Sequence, residues 1–174
     1  MKMREILFRG KTPGGKWVEG IYSPYNWDID LVRENKPQII ILSENKDDID
    51  GLWCDIIPET VGQYTGHTDK NGTKIFEGDI VKILDFQTGI IINECATFGV
   101  GISPFIDWDY IDSKIHTITG CDNNPHFCQN DNFCSLWELM WNYNQEGNDC
   151  SVVEVIGNIH DNPEMLNAAA NERR

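Results

Sequence analysis

Two tight turns close together in the middle of the chain restrict its fold more than any other sequence feature. The stretch Val61–Leu84 reads VGQYTGHTDKNGTKIFEGDIVKIL, with one turn at Asp69-Lys70-Asn71-Gly72 and a second at Glu77-Gly78-Asp79. An aspartate at a turn accepts hydrogen bonds from nearby backbone N–H groups, and Asn-Gly adopts positive φ at low cost. The runs on either side of the turns have the length of strands. The stretch therefore predicts antiparallel strands joined by short turns.

The rest of the chain repeats this pattern of short apolar runs separated by turn residues. The predicted strands are Glu5–Arg9, Trp17–Tyr22, Gln38–Leu42, Trp53–Ile57, Gly62–Thr65, Thr73–Phe76, Ile80–Leu84, Gly89–Phe98, Tyr110–Thr119 and Ser151–Ile159. Pro-Gly-Gly within Lys11–Lys16 predicts a hairpin turn, whereas Gly99–Pro104 and residues 121–134 predict breaks or loops. The consecutive β-branched residues of Gln38–Leu42 predict a strand that is buried on both faces.

Two short segments carry helix signals. Ser135 and Glu138 form a capping box at the start of Ser135–Gln145, which has apolar residues at helical spacing. A second helix is predicted to begin at Asn162-Pro163-Glu164, with asparagine as the cap and proline at the first helical position. The patterns together predict a mainly β protein, an antiparallel barrel-like or sandwich fold with one or two short helices.

Acidic residues outnumber basic residues by 28 to 14, which gives a net charge of −14. A surface of this charge repels phosphate backbones, so ordinary nucleic-acid binding is disfavoured. A local basic patch, a basic protein partner and a role as an acidic DNA mimic stay open. The interpretation that the charge keeps the protein soluble is favoured over these.

The start of the chain, MKMREILFRG, lacks the apolar core of an export signal. No apolar run approaches the ~20 residues that a membrane span needs. We therefore expect a cytoplasmic protein without membrane contact. Its six cysteines are then expected to be reduced.

Several motifs resemble the YopX protein family of phages and prophages. They are VGQYTG, DKNG, EGDIVKI and EVIGNIHDNPEML, together with the opening REILFRG, and they lie within Arg4–Ile21, Cys54–Leu84 and Val153–Leu166. The resemblance implies a mostly β fold and a small accessory protein of a phage, prophage or mobile element. It implies no established activity and no catalytic residues. We interpret the chain as a single YopX-like domain over 1–174, with 1–58 as an N-terminal β part and 59–166 as the main β core.

One segment contains four residue types that bind zinc: Cys121, His126, Cys128 and Cys134. Zinc takes four nitrogen or sulfur ligands in a tetrahedron, which a loop can supply. The segment has no C-x-x-C spacing, however, and that spacing is the strong signal for zinc. The interpretation of these cysteines as small buried side chains or free thiols is therefore favoured.

No nucleophile elbow, glycine-rich phosphate loop or H-E-x-x-H motif is present in the sequence. We therefore predict no catalytic residues and no cofactor, and a metal-dependent enzyme is the least favoured hypothesis. Structural turn roles are predicted for the residues that shape the central stretch: Gly62, Gly66, Asn71, Gly72, Gly78 and Asp79.

Three aromatic residues cluster in an irregular segment near Pro24: Tyr22, Tyr25 and Trp27. Aromatic residues in loops often contact partners, so these are the candidate binding residues; a small hydrophobic cluster is an equally good interpretation. The favoured function is a non-enzymatic binding module that contacts another protein or associates with itself. The alternative is a nucleic-acid-associated protein or an acidic DNA mimic in phage replication or host takeover.

Overall fold

The computed structural model describes residues 6–24, 36–41, 52–83, 87–94, 97–101, 133–136 and 153–165. Within these ranges the chain is mainly β, and all strand pairs with a defined register are antiparallel. The predicted mainly β, antiparallel class is therefore confirmed. The strands form two sheets, and neither closes into a barrel within the described ranges. The chain divides into two compact units, Met1–Gly66 and His67–Arg174.

The strands are short, as the frequent turn residues in the sequence predict. They are β1 (Phe8–Lys11), β2 (Trp17–Ser23), β3 (Gln38–Ile41), β4 (Leu52–Asp55), β5 (Gly62–Thr68), β6 (Lys74–Phe76), β7 (Asp79–Ile83), β8 (Gln87–Glu94), β9 (Thr97–Gly101), β10 (Phe133–Ser135) and β11 (Val153–Asn158). A 3-10 turn, Pro58–Thr60, leads into β5. None of the helical residues that the structure describes belongs to a helix long and apolar enough for a membrane span.

The first unit contains β1 to β4 and the part of β5 up to Gly66, in the sheet order β4-β3-β2-β1-β5. Its core is a cluster of Val18, Ile39 and Ile56, which are all buried. Gly20 lies in β2 directly beside β3, since a Cβ added there would stand 2.1 Å from the carbonyl oxygen of Ile40. Glycine at this position therefore allows the close backbone approach of the two strands.

The second unit contains a five-stranded sheet in the order β10-β9-β8-β7-β11. Strand β7 lies between β8 and β11, and its residues Ile80, Val81 and Ile83 are completely buried. The other buried apolar residues that the structure describes in this unit are Ile75, Phe76, Ile91, Phe98, Val100, Leu136 and Val153. The β-branched residues of these strands suit a pleated, buried surface, which explains why this sequence forms strands here.

The prediction of one strand over Gly89–Phe98, broken at Gly99–Pro104, is wrong. Strand β8 ends at Glu94, and Thr97–Gly101 forms the separate strand β9, which pairs with it. The glycines of Gly99–Pro104 predict a break, but Gly101 lies within β9 and allows close packing. A Cβ added at Gly101 would stand 2.4 Å from the Cδ1 atom of Ile92, so only glycine leaves room for that side chain.

The loop predicted over residues 121–134 is wrong at its end, because Phe133 and Cys134 belong to β10 and pair with Gly101 and Val100. Ser135 is the last residue of β10, and Leu136 follows as a buried helical residue. The rest of the helix predicted over Ser135–Gln145, and the strand predicted over Tyr110–Thr119, lie outside the described residues.

Candidate interaction surface

The sheet of the first unit has two faces of different character. The pairing Tyr22–Ile39–Cys54 across β2, β3 and β4 lies on the face that carries the core cluster. Because successive side chains of a strand point to opposite faces, the adjacent pairing Ile21–Ile40–Trp53 lies on the other face. The prediction that β3 is buried on both faces is confirmed for its first half, where Gln38 and Ile39 are buried on opposite faces. In its second half, Ile40 and Ile41 are half-buried.

We call Ile21, Ile40 and Trp53 the outer row. Ile21 keeps 45% of its surface exposed and Trp53 keeps 44%. The three residues come from three different strands and meet because of the antiparallel register. Large apolar side chains that are exposed next to each other are typical of contact surfaces, whereas single exposed ones are common on any protein.

Polar and charged residues border the outer row on the same face. On one side the Gln38 Nε2 atom donates a 2.6 Å hydrogen bond to the Asp55 carboxylate. On the other side the guanidinium carbon of Arg9 lies 5.0 Å from the centre of the Trp17 ring, and the Lys11 ammonium lies 5.9 Å from it. An apolar centre with a polar rim is the usual composition of a protein-binding patch.

The predicted binding residues fall partly in the described chain. Tyr22 is half-buried and packs against Phe8, with the ring centres 5.3 Å apart, on the core side of the sheet. Tyr25 and Trp27 lie outside the described residues, so this binding site stays a prediction. Sequence reasoning missed Ile21 and Trp53, although Ile21 shares its face of β2 with the exposed Glu19. The alternation of residues along β2 therefore indicates that Ile21 lies on the solvent-facing side.

The turn at Asp69–Gly72 is attached to β11 in the second unit. Asp69 is buried, and its Oδ1 atom accepts hydrogen bonds from the N–H groups of Asn71 and Thr73, both at 2.8 Å. Its Oδ2 atom accepts a third, at 3.0 Å, from the N–H of Val155. The N–H of Lys70 donates to the carbonyl oxygen of Val153 at 3.0 Å. The turn therefore satisfies backbone groups on the side of β11 away from β7.

The other predicted turn residues lie at bends or in strand β5. Gly66, Gly72 and Gly78 have φ values of 89°, 80° and 81°, which residues with a side chain rarely adopt. Gly62 lies in β5 and pairs with Arg9. Asp79 is buried, and its Oδ2 atom accepts a 2.7 Å hydrogen bond from the N–H of Phe76. The positive φ of the three glycines and the Asp79 hydrogen bond are of the kind that shapes turns, whereas Gly62 lies within a strand.

The zinc hypothesis concerns residues that the structure leaves largely undescribed. Cys121, His126 and Cys128 lie outside the described ranges, and Cys134 lies in β10. In the ranges that are described, no three or more histidine, cysteine, aspartate or glutamate side chains stand close enough to hold a metal ion. The four-residue cluster therefore stays a prediction.

Comparisons with known proteins place the chain in a family. The sequence profile of the YopX protein family matches residues 22–167, so the opening motif REILFRG lies before the matched range. The chain is also similar to protein EF1440 from Enterococcus faecalis, known from a crystal structure, with 21% identity over 94% of this chain and 99% of that one and a TM-score of 0.44. No match was found among curated proteins. Because the profile match extends over most of the chain, the protein belongs to the YopX family.

Proposed function

We propose that this protein is a non-enzymatic binding module, an accessory protein of phage type that contacts another protein through the outer row. The observation that supports this proposal is the exposure of Ile21 and Trp53, at 45% and 44%, on either side of the half-buried Ile40 and within a polar rim. Aromatic residues in such positions contribute a large share of the binding energy at many protein interfaces.

The exposed part of Trp53 alone gives a useful magnitude. A tryptophan side chain buries up to about 250 Å², and 44% of Trp53 is exposed, so about 100 Å² is left to cover. At about 25 cal/mol per Å² this corresponds to about 2.5 kcal/mol before the costs of association. A stable interface buries about 800 Å² per partner. The outer row is thus an anchor within a larger contact area.

The experiment compares two charge substitutions of exposed isoleucines. Ile21→Glu places a carboxylate in the outer row, whereas Ile6→Glu does the same at a residue that is 67% exposed and outside the row. Both variants and the wild type are immobilised and exposed to an extract of the cells that express the protein, and a sizing column records self-association in parallel.

We expect wild type and Ile6→Glu to retain the same partner and Ile21→Glu to lose it, because a buried, unpaired carboxylate is costly at an interface. Retention of that partner by all three proteins contradicts the proposal. An inert monomer without any partner contradicts it as well.

A further inference from the structure

Strand β4 has an open side in the described part of the chain, where β3 is its one strand neighbour. Directly after β4, the N–H of Ile56 donates to the carbonyl oxygen of Pro37, at 3.2 Å, on the β3 side. Successive residues of a strand direct their backbone groups to opposite sides. The N–H and C=O groups of Trp53 and Asp55 are therefore directed to the open side, where an added strand would meet them.

Strand β11 also lies at the end of its sheet, but the turn at Asp69–Gly72 occupies the side of β11 that faces away from β7. There the turn supplies the N–H of Lys70 to Val153 and the carboxylate of Asp69 to the N–H of Val155. A register shift between Val155 and Gly157 also interrupts the strand. Occupation by a turn and irregular pairing are two ways in which proteins prevent unwanted pairing at a sheet edge. Strand β4 has regular pairing to β3 and contains neither lysine nor proline.

The side chains of β4 indicate what would lie beside it. Leu52 is 65% exposed and Trp53 is 44% exposed. A strand added beside β4 would extend the outer row by one position and place a side chain opposite Trp53. Aromatic and β-branched residues form favourable cross-strand pairs. The residue opposite Trp53 is therefore expected to be apolar and β-branched or aromatic.

The charge of the chain indicates which kind of segment could pair with the open side of β4. The segment that connects β3 to β4 and the strand itself contain five carboxylates against one lysine: Glu44, Asp47, Asp48, Asp50 and Asp55 against Lys46. A second copy would bring the same charges, and each copy has a net charge of −14. Like charges oppose association and opposite charges accelerate it. The favoured occupant is a basic segment of a different protein.

We propose that β4 is a docking edge for an extended, basic segment of another protein, which adds as a strand beside Trp53 and Asp55. Backbone hydrogen bonds to these two residues supply the pairing, and Trp53 selects an apolar side chain. This inference rests on the proposed function, because it names the class of partner for the same surface.

The probe is a synthetic peptide with alternating valine and threonine at its centre and lysines at both ends. Its control has glutamates in place of the lysines. Hydrogen exchange of individual amides is followed by NMR in the full-length wild-type protein. We expect the lysine peptide to slow exchange at Trp53 and Asp55, and the glutamate peptide to leave it unchanged.

A matched pair of variants tests the backbone contact. Asp55→Ala and Asp55→Pro both remove the carboxylate and its bond to Gln38, but only proline removes the N–H that is directed to the open side. We expect the lysine peptide to bind Asp55→Pro about tenfold more weakly than Asp55→Ala, since one hydrogen bond is lost and its acceptor on the peptide is left unpaired. Fluorescence anisotropy of a labelled peptide measures both affinities.

Three results would overturn the inference: unchanged exchange at Trp53 and Asp55 with the lysine peptide, equal affinity of the two variants, or protection of these amides by self-association. The exchange experiment uses the wild type and decides the question even if Asp55→Pro does not fold. A partner that is lost with Ile21→Glu but bound equally by both Asp55 variants removes the docking edge and keeps the proposed function. A partner retained by both Ile21→Glu and Ile6→Glu removes the proposed function itself.

Discussion

Replacement of Asp69 by alanine tests whether the turn at Asp69–Gly72 stabilises the second unit. Asp69 is 1% exposed, and its carboxylate accepts three backbone hydrogen bonds. Two of them are local, from Asn71 and Thr73, and the third comes from Val155 in β11. Alanine removes all three hydrogen bonds at once, so that the three N–H groups must bind water instead.

The size of the effect follows from the exposure of the donors. Asn71 and Thr73 are exposed, so water can replace the carboxylate there and each bond contributes roughly 0.5 kcal/mol. Val155 is only half-buried, but its N–H bonds to a buried carboxylate across the sheet edge, and such a bond contributes about 2 kcal/mol. We expect the free energy of unfolding to fall by about 3 kcal/mol in total. For a chain of this length that corresponds to a decrease in Tm of about 6–12 °C.

Urea denaturation measures the free energy of unfolding, and hydrogen exchange of Val153 and Val155 reports on β11 locally. Glu164→Ala is the control, because it removes the same charge from an exposed side chain and is expected to change stability by less than about 0.5 kcal/mol. Equal stability of Asp69→Ala and Glu164→Ala, with unchanged exchange in β11, would refute the role assigned to Asp69.

Three further predictions concern one surface ion pair and two glycines. Lys70→Ala removes a 2.8 Å ion pair between Lys70 and Glu154, whose side chains are 31% and 33% exposed, respectively. Because solvent screens this pair, we expect the free energy of unfolding, measured by urea denaturation, to fall by less than about 0.5 kcal/mol. A loss above about 1.5 kcal/mol would contradict this. Gly72→Ala has no atom within 4 Å of the added Cβ and is expected to cost about 1 kcal/mol from its positive φ alone. Gly20→Ala places the Cβ 2.1 Å from the carbonyl oxygen of Ile40, so we expect circular dichroism to show loss of the folded state; a folded Gly20→Ala would contradict the close strand approach.

The local turns of this protein could be predicted from sequence. Pro-Gly-Gly lies in the loop between β1 and β2, and the segment with Asp69 and Gly72 forms the turn before β6. Turn chemistry acts over a few residues, so the residue types are sufficient to predict it. The predicted break failed at Gly99 and Gly101, which both pair with β8, and at Gly101 the glycine leaves room for the side chain of Ile92.

The candidate surface could be predicted only in part. The alternation in β2 places Ile21 on the face of Glu19, but nothing in the sequence shows that Ile40 and Trp53 stand beside it. Likewise, the sequence predicts that Asp69 caps its own turn, but not that it also binds Val155, 86 positions away.

The sequence by itself determined the mainly β class, the places of the central turns and membership of the YopX family, because residue type, alternation and motif order act locally along the chain. Only the tertiary structure decided which strands are neighbours and in which register they pair. Register assigns each side chain to a face, and a shift of one residue would reverse that assignment. The outer row, the side of β4 that is open among the described strands, and the attachment of the turn to β11 all follow from register and therefore from the tertiary structure.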